Sequence, residues 1–443
     1  MFTRPGSTAR QVGITVLTKV LVMGIAGVAG IVTSRLIIQH YGVDAFAQYG
    51  LLNGLASLVP FADLGIAAVI VNTVASSARP REDLEVRRTI TSAFRILLVS
   101  AGLIAAFSLV AGIAGWWPTL LGDGLIARGG ALAATLCAVV FAVALPLGVG
   151  QRVLVALGQT TKQTAITGIA SPVVLAGVAS SVALAWAFGP YVAVMSYAAN
   201  AVVALVCLVL AARLISPQLV AAVRDVPRLR TVPGVRVVDV AWPMLIQMIA
   251  LPMAMQTDRL LLSHLGTAAE LAEYNFGAQI FGLINQVVAT AGVALWPIYA
   301  RARATGTVDS PMRATGAFTA AATALGLLLW LFLPMLTSIV TQGQIEAPWT
   351  LALAFVVFVT FQATKYPLGM YMTDARGLRF QVAPILVMVP VNLGLSALLI
   401  PPLGSAGPVV GSAVAVLVCQ VVPNWWYVRR DLAKRRIELA AVG

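Results

Sequence analysis

The sequence predicts an all-α, polytopic membrane protein with about twelve transmembrane helices in two pseudo-symmetric six-helix bundles. Three observations support this fold class. Hydrophobic residues form 60% of the chain and charged residues only 10%, which excludes a water-soluble globular protein. The apolar segments are continuous and do not alternate with polar residues, which favours helices over an outer-membrane barrel. A pattern in the first half of the chain also returns in the second half.

The repeated pattern is SRLIIQHYGVDAFAQY in residues 34–49 and DRLLLSHLGTAAELAEY in residues 258–274. Equivalent positions hold Arg35 and Arg259, and the only two histidines of the chain form another equivalent pair. Each copy lies at the end of one long apolar segment and ahead of another. The simplest account is a duplicated membrane unit whose two halves have the same topology and run in the same direction.

Twelve apolar segments are long enough to cross a hydrocarbon layer of roughly 30 Å. The predicted spans are 12–39, 45–76, 89–117, 129–150, 164–187, 191–213, 240–265, 274–300, 314–340, 348–373, 380–401 and 406–428. The predicted domains are an N-terminal lobe (1–214), a cytoplasmic linker (215–239), a C-terminal lobe (240–428) and a basic cytoplasmic tail (429–443). We expect the linker to be solvated and the tail to lie along the membrane surface or to be partly disordered.

The distribution of basic residues predicts the orientation. With both termini in the cytoplasm, 24 of the 29 Lys and Arg residues fall on the cytoplasmic side and only Arg128 falls on the other. The positive-inside rule therefore predicts a multi-pass protein of the cytoplasmic (inner) membrane with both termini inside. The apolar stretch after MFTRPGSTAR is too long for a cleaved signal peptide, so we expect it to be the first permanent span. This charge pattern explains the basic composition without nucleic acid.

Charged side chains inside the predicted spans are the first candidates for a functional site. They are Lys19, Arg35, Asp63, Asp258, Arg259 and Lys365. Each costs roughly 2.5 to 3.5 kcal/mol near the bilayer centre, so we expect these groups to face one another, water or a ligand. Polar residues on the helical faces that we assign to the same site are Asn53, Gln279, Gln286 and Gln362. Together they predict a hydrated cavity between the lobes.

The balance of charge favours an anionic substrate, because the spans contain four bases against two acids. We therefore assign the bases and the polar residues to substrate binding, although Arg35 and Arg259 lie near helix ends, where a structural, snorkelling role is the alternative. Asp63 or Asp258 either takes up a coupling proton or sodium ion or neutralises a neighbouring base. Arg259 points about 100° away from Asp258 around the helix, so a basic partner would have to come from another helix.

No motif indicates covalent chemistry or a bound cofactor. Cys137, Cys207 and Cys419 lie in apolar segments without a CxxC or Cys/His neighbourhood, and we interpret them as small core residues. We find no metal-ligand spacing, nucleophile motif or phosphate-binding glycine loop. The sequence therefore predicts a protein that is not an enzyme.

Two stretches resemble a known family. SRLIIQHYGVDAFAQYGLLNGLASLVPFADLG, followed by a basic loop, resembles the start of polysaccharide transporters of the multidrug/oligosaccharidyl-lipid/polysaccharide (MOP) exporter superfamily, in particular the O-antigen type flippases. DRLLLSHLGTAAELAEYNFGAQI resembles the start of their second lobe. The resemblance implies two bundles related by a pseudo-twofold axis that open alternately to each side. It also implies an oligosaccharide substrate on undecaprenyl diphosphate, moved from the cytoplasmic to the periplasmic leaflet.

The leading hypothesis is therefore a lipid-linked oligosaccharide flippase. One alternative is a multidrug or small-molecule cation antiporter of the same superfamily. A cavity dominated by acids would favour this alternative, whereas the charged residues in the spans are mostly basic. Another is a polysaccharide polymerase or ligase, which needs a catalytic periplasmic loop that the short outward connections do not provide. The expected partners are the lipid-linked oligosaccharide, membrane lipids and other polysaccharide-assembly membrane proteins, with no nucleic acid.

Overall fold

The computed structural model describes residues 5–56, 66–228, 256–293 and 310–440, together with residues 295, 298, 299 and 302. Every regular element within these residues is a helix, and many of the helices are strongly apolar. This confirms the predicted all-α, polytopic membrane class. The chain divides into two compact units, Met1–Trp242 and Pro243–Gly443.

The first unit begins with a long helix and continues as a bundle. Its helices are α1 (Pro5–Tyr41), α2 (Val43–Leu55), α3 (Ile66–Ser76), α4 (Leu84–Ile113), α5 (Trp117–Leu121), α6 (Gly130–Leu147), α7 (Val149–Ala156), α8 (Thr160–Gly168), α9 (Ala170–Ala183), α10 (Val192–Leu214) and α11 (Gln218–Asp225). The first turn of α4 is capped by Asp83, whose carboxylate accepts from the backbone N–H of Glu85 at 2.8 Å. The Ser77 hydroxyl and this N–H hold the pKa of Asp83 below its ordinary value of 3.8.

The second unit carries the candidate site. Its helices are α12 (256–265), α13 (Ala268–Val293), α14 (Met312–Thr341), α15 (Trp349–Tyr371), α16 (Ala375–Leu403), α17 (Gly407–Val416) and α18 (Val422–Ala440). A tight turn at Gly404–Ala406 reverses the chain between α16 and α17, and Gly404 has a φ of 54°. Glycine adopts this left-handed conformation without the strain that a Cβ atom would add. The turn therefore lets α17 pack antiparallel against α16.

Among the described residues, eight helical segments are long and apolar enough to cross a membrane. They are Leu21–Tyr41, Leu84–Ile113, Gly130–Ala156, Thr160–Ala183, Gly189–Leu214, Met312–Thr341, Trp349–Tyr371 and Arg376–Arg435. The last of these runs over 60 residues and contains both of the predicted spans 380–401 and 406–428. The predicted spans 45–76, 240–265 and 274–300 fall partly outside the described residues. The count of twelve therefore stays a prediction.

The two copies of the repeat have the same order of elements and place their histidines in the same way. In each copy a helix ends, a glycine follows, and a second helix begins: α1 and α2 in the first unit, α12 and α13 in the second. The Nδ1 atoms of His40 and His264 lie 3.1 and 2.8 Å from the carbonyl oxygens four residues earlier, and both rings are exposed. Glycine is favoured at the two positions for different reasons. Gly42 has a φ of 90°, whereas a Cβ on Gly266 would lie 3.0 Å from the carbonyl oxygen of Leu262.

The start of the predicted linker, which we expected to be solvated, packs against the first unit. Residues 218–225 form α11, which packs on α4, and Asp225 is 2% exposed. Its carboxylate accepts from Arg87 Nε at 2.6 Å. Arg95 donates to the carbonyl oxygens of Asp225 and Val226, both at 2.9 Å, and so satisfies groups at the end of α11. These residues belong to the first unit, and the rest of the predicted linker from residue 229 lies outside the described residues.

The basic tail is also helical. α18 continues to Ala440, and Asp431 accepts from the Tyr371 hydroxyl at 2.6 Å and from Arg435 Nε at 2.7 Å. Since Tyr371 is the last residue of α15, these bonds hold the first part of the tail against the bundle. The helix covers residues 429–440 of the predicted tail, and the placement of the tail along the membrane surface stays a prediction.

Candidate functional site

A polar cavity of about 200 Å³ lies inside the second unit, between α12, α13, α15 and α17. Its polar lining residues are Gln256, Asp258, Arg259, Asn285, Gln362 and Ser412, and its aromatic ones are Tyr274, Phe281, Phe355 and Phe358. Polar groups grouped on one side of apolar helices point away from lipid. The cavity is therefore the best candidate for a functional site among the described residues.

Asp258 is the most unusual residue of this cavity, because its side chain is 3% exposed and makes no ion pair with a described residue. Its Oδ2 atom accepts from the Ser412 hydroxyl at 2.9 Å and from the Tyr274 hydroxyl at 3.3 Å. The Ser396 hydroxyl lies 3.5 Å from Oδ1. A carboxylate is costly to bury unless it is paired, so three neutral hydroxyls give only part of the compensation that its charge needs.

Two serine hydroxyls near Asp258 each lie close to a second oxygen acceptor. The Ser412 hydroxyl also lies 3.0 Å from Asn392 Oδ1, and the Ser396 hydroxyl lies 3.4 Å from the Pro408 carbonyl oxygen. Each hydroxyl carries one proton, so a serine between two acceptors satisfies only one of them. A proton on the carboxylate or a hard cation among these oxygens would give the acceptors a further partner. We call Asp258, Asn392, Ser396, Pro408 and Ser412 the oxygen cluster.

Close helix packing brings the oxygen cluster together. Asn392 and Ser396 are four residues apart on α16, and Pro408 and Ser412 have the same spacing on α17, so each pair lies on one helix face. A Cβ atom on Gly411 would lie 2.7 Å from Ser396 Oγ and 2.8 Å from its backbone nitrogen. Only glycine leaves room for this approach, and it therefore sets the distance between the two pairs of oxygen-bearing residues.

Arg259 lines the cavity beside the oxygen cluster but is held by neutral groups. Its Nε atom donates to Asn275 Oδ1 at 2.8 Å, and Nη1 donates to Gln256 Oε1 at 2.9 Å. The guanidinium carbon lies 5.8 Å from the centre of the Tyr274 ring. Two of its five N–H donors are used in this way. The remaining donors and the positive charge of the guanidinium suit an anionic or hydroxyl-bearing ligand.

Among the other predicted residues of the second unit, only Gln362 lines this cavity. Gln286 is exposed and Gln279 is half-buried outside the lining, whereas Asn285, which the sequence pattern did not select, faces the cavity. The side-chain oxygen of Asn285 is buried and accepts no hydrogen bond in the described part of the chain. Lys365 is half-buried outside the lining, with its ammonium group 5.7 Å from the Tyr366 ring centre.

The predicted residues of the first unit do not gather in a comparable site. Lys19 and Arg35 are exposed, and Asn53 is half-buried and hydrogen-bonded to the Tyr49 hydroxyl. Asp63 lies outside the described residues. At the position equivalent to Asp258 the first unit has a serine, whose hydroxyl donates to the carbonyl oxygen of Gly30. The oxygen cluster therefore has no equivalent at this position, and the cavity predicted between the lobes stays a prediction.

Sequence reasoning missed the oxygen ligands that come from α16 and α17. Asn392, Ser396 and Ser412 are single polar residues in strongly apolar helices, where hydrogen bonding between helices is their usual role. The i, i+4 spacing of Asn392 and Ser396 was the available signal, but it does not show which helix the pair faces. Among the described residues, no group of three His, Cys, Asp or Glu residues is suited to hold a metal ion.

Comparison with known proteins identifies the family. A family model described as polysaccharide biosynthesis protein matches residues 8–303, which is more than half of the chain. No curated protein matches the chain significantly. The similar solved structures include an inward-facing multidrug resistance MATE family transporter of the MOP superfamily, with a TM-score of 0.67, 14% identity, and coverage of 94% of this chain and 99% of that one.

Two further solved structures share the fold. The lipid II flippase MurJ in an inward closed conformation has a TM-score of 0.66 at 9% identity, covering 95% of this chain and 90% of its own. A mutant of the Vibrio cholerae MATE transporter VcmN has a TM-score of 0.61 at 15% identity, covering 97% and 98%. These matches confirm the resemblance inferred from the two repeated stretches. The chain belongs to the polysaccharide biosynthesis protein family and has the fold that these MOP-superfamily transporters and flippases share.

Proposed function

We propose that this protein is an inner-membrane flippase that moves undecaprenyl-diphosphate-linked oligosaccharide from the cytoplasmic to the periplasmic leaflet by alternating access. The family match supports a role in polysaccharide biosynthesis. The specific pathway that we propose is O-antigen and lipopolysaccharide assembly. The distribution of basic residues supports an orientation with both termini in the cytoplasm. Other polysaccharide-assembly membrane proteins are its proposed partners.

The observation that carries the mechanism is the oxygen cluster, of which Asp258 and Ser412 line the same cavity as Arg259. The cluster offers carboxylate, amide, hydroxyl and carbonyl oxygens, the ligand types that hard cations prefer, and it can instead hold a proton on Asp258. We propose that uptake and release of a sodium ion or a proton at Asp258 drives the change between inward-open and outward-open states. Arg259 and Gln362 then supply donors for the diphosphate or the sugar hydroxyls. Lys19, Arg35 and Lys365 are proposed as further substrate-binding bases.

Reconstituted protein tests the proposal directly. A lipid-linked oligosaccharide with a fluorescent sugar is placed in proteoliposomes that contain the purified chain, and a membrane-impermeant quencher measures its arrival in the outer leaflet. We expect the wild-type chain to accelerate this movement at least tenfold over protein-free liposomes. Imposing a sodium gradient in one arm and a pH gradient in another identifies the coupling ion.

Two variants connect the activity to the cavity. Asp258→Asn keeps the size of the side chain but removes the ionisable group, so we expect transport to lose its response to the ion gradient. Asp44→Asn is the matched control, because Asp44 is an exposed aspartate at the start of α2, outside the cavity. If wild-type protein moves the substrate no faster than protein-free liposomes do, the flippase assignment is wrong. If Asp258→Asn retains the full ion response, Asp258 is not the coupling residue.

A cation antiporter remains the second candidate because one feature of the cavity favours it. Asp258 lies in a pocket that includes Phe281, Phe355 and Phe358, and aromatic faces beside a carboxylate suit organic cations. Arg259 in the same lining opposes this, since it repels a cationic drug. Efflux of ethidium from cells that express the chain, lost in Asp258→Asn, would favour the antiporter over the flippase.

A further inference from the structure

One face of the last two helices changes along its length from apolar to aromatic to basic. A π-helical turn at Leu417–Val421 joins α17 to α18, so the helical chain is continuous from residue 407 to residue 440. Six exposed residues follow one another at a four-residue spacing: Val414, Val418, Val422, Trp426, Arg430 and Lys434. The three valines and Trp426 are between 37% and 56% exposed. Because residues four apart lie on one side of a helix, the six form a single surface, which we call the α17–α18 stripe.

The apolar part of the stripe has the length of one lipid leaflet. Val414 and Trp426 are twelve residues apart, which is about 18 Å at a rise of about 1.5 Å per residue. One leaflet contributes half of a hydrocarbon core that is roughly 30 Å thick. Trp426 lies near the end of the predicted span 406–428 and stacks on Phe380, the first residue of the predicted span 380–401, with ring centroids 6.2 Å apart. The two rings therefore lie together at one boundary of the hydrocarbon, where aromatic side chains are common.

Two arginines stack on tryptophan rings at this boundary. The guanidinium carbon of Arg430 lies 5.0 Å from the ring centre of Trp426, and that of Arg429 lies 5.3 Å from the ring centre of Trp425. Each arginine follows its tryptophan by four residues, or about 6 Å along the helix, which places it in the headgroup region outside the hydrocarbon. A stacked guanidinium keeps its N–H donors at its edge, where they suit a phosphate group.

The exposed charge at this end of the second unit is positive among the side chains that the structure describes. The exposed bases are Arg376, Arg379, Arg429, Arg430 and Lys434. Two nearby acids are engaged within the bundle. Asp431 accepts from the Tyr371 hydroxyl and from Arg435, and Asp374 also interacts electrostatically with Arg435. A surface of this sign attracts an anionic headgroup from the adjoining leaflet.

We propose that the α17–α18 stripe binds one anionic phospholipid of the membrane leaflet at this end of the bundle. Its acyl chains lie along the three valines, and its phosphate accepts from Arg429 and Arg430. The apolar part of the stripe distinguishes this ligand from free phosphate, which would use the arginines alone. The surplus of bases distinguishes it from a zwitterionic lipid, whose cationic group they repel. The transported substrate takes no part in this site.

Photolabelling of the full-length protein in nanodiscs of phosphatidylcholine tests this site. The probes are trace amounts of phosphatidylglycerol or of phosphatidylcholine, each with a diazirine in one acyl chain, and labelled peptides are located by mass spectrometry. We expect the phosphatidylglycerol probe to label residues 414–426 at least fivefold more than the phosphatidylcholine probe does. Unlabelled phosphatidylglycerol should remove this preference. Equal labelling by the two probes would overturn the proposal.

Two competitors decide the identity of the ligand. Inorganic phosphate should displace the phosphatidylglycerol probe no more than chloride does at the same ionic strength, because it cannot use the apolar part of the stripe. Greater displacement by phosphate would show a simple anion site and overturn the proposal. A polyprenyl phosphate that displaces the probe more strongly than phosphatidylglycerol would assign the stripe to the transported lipid, and this result would also overturn it.

Removing the two stacked arginines provides the matched comparison. Arg429→Gln combined with Arg430→Gln removes both charges but keeps long polar side chains, so labelling by the phosphatidylglycerol probe should fall to the level of the phosphatidylcholine probe. Arg224→Gln combined with Arg313→Gln is the control, because both are exposed arginines that stack on no aromatic ring in the described part of the chain. If the first double variant does not fold, the single variant Arg430→Gln replaces it. A folded variant that keeps the wild-type preference overturns the proposal.

Discussion

Replacing Gly411 with alanine should disturb the oxygen cluster through a single added methyl group. The new Cβ would lie 2.7 Å from Ser396 Oγ, 2.8 Å from Ser396 N and 3.0 Å from Ser396 Cα. Two of these atoms belong to the backbone of α16, so the contact cannot be relieved by turning a flexible side chain. α17 must therefore move away from α16, and Ser412 must move away from Asn392.

The magnitude follows from two opposing effects. Overpacking a well-packed interior typically costs about 1 to 3 kcal/mol, whereas exchanging glycine for alanine within a helix contributes about 1 kcal/mol in favour of the variant. Gly394→Ala isolates the second effect, because Gly394 lies on α16 and a Cβ there would meet nothing within 4 Å. The two variants should therefore differ by about 1 to 3 kcal/mol in the free energy of unfolding, with Gly411→Ala the less stable.

Thermal unfolding in detergent micelles, followed by tryptophan fluorescence, measures this difference. For a domain of about 200 residues, each kcal/mol corresponds to roughly 2 to 4 °C in Tm, so the variants should be separated by at least about 2 °C. Repeating the measurement with increasing sodium concentration tests the ion site, and we expect the stabilisation by sodium to be weaker in Gly411→Ala than in Gly394→Ala. Equal Tm values and equal responses to sodium would refute the packing argument.

Three further predictions concern parts of the molecule outside the cavity. Asp83→Ala removes the cap of α4 and should lower the free energy of unfolding by about 1 kcal/mol in chemical denaturation at pH 7. Because the folded-state pKa of Asp83 is lowered, this stabilisation should be present above pH 3.8 and disappear as the pH falls below that value. The Asp83→Asn variant should lack this pH dependence. Arg87→Ala leaves the buried Asp225 without its closest basic partner, so α11 should detach from the bundle more often. Limited proteolysis near residue 228 should therefore be faster than in wild type. An unchanged cleavage rate would show that this ion pair does not anchor α11. Tyr371→Phe removes the hydroxyl bonded to Asp431 and should lower the local stability of α18 by about 1 kcal/mol. Amide hydrogen exchange in α18 should therefore be faster than in wild type. Unchanged exchange would show that this bond does not hold the tail.

The fold class was predictable from the sequence because the physics of the bilayer leaves few choices. Long apolar segments must form helices to satisfy their backbone groups, and the paired motifs around Arg35 and Arg259 indicate a duplication. The ordered part of the linker was harder to predict. Its stability depends on Arg87 and Arg95, which lie more than 100 residues earlier in the chain and contact Asp225 only in the folded protein.

The candidate site was predictable in part. Asp258 and Arg259 are charged residues in an apolar context, so the cost of burying them marks them in the sequence. Gln286 was assigned to the site by helical periodicity, but successive residues of a helix point about 100° apart, and it is the neighbouring Asn285 that faces the cavity. Ser396 and Ser412 could not be identified, because a serine in a membrane helix usually bonds within its own helix or to a neighbour.

Residue 34 is a serine, whereas the equivalent residue of the second copy is Asp258, and this difference affects the energetics of transport. Within the described residues, duplication of the membrane unit did not duplicate the carboxylate of the oxygen cluster, so that cluster would take up one elementary charge in each cycle. The membrane potential contributes about 2.3 kcal/mol per 100 mV for one charge that crosses the whole membrane. With one ion per substrate, the current through reconstituted vesicles would count the molecules moved once the charge of the anionic head group is included.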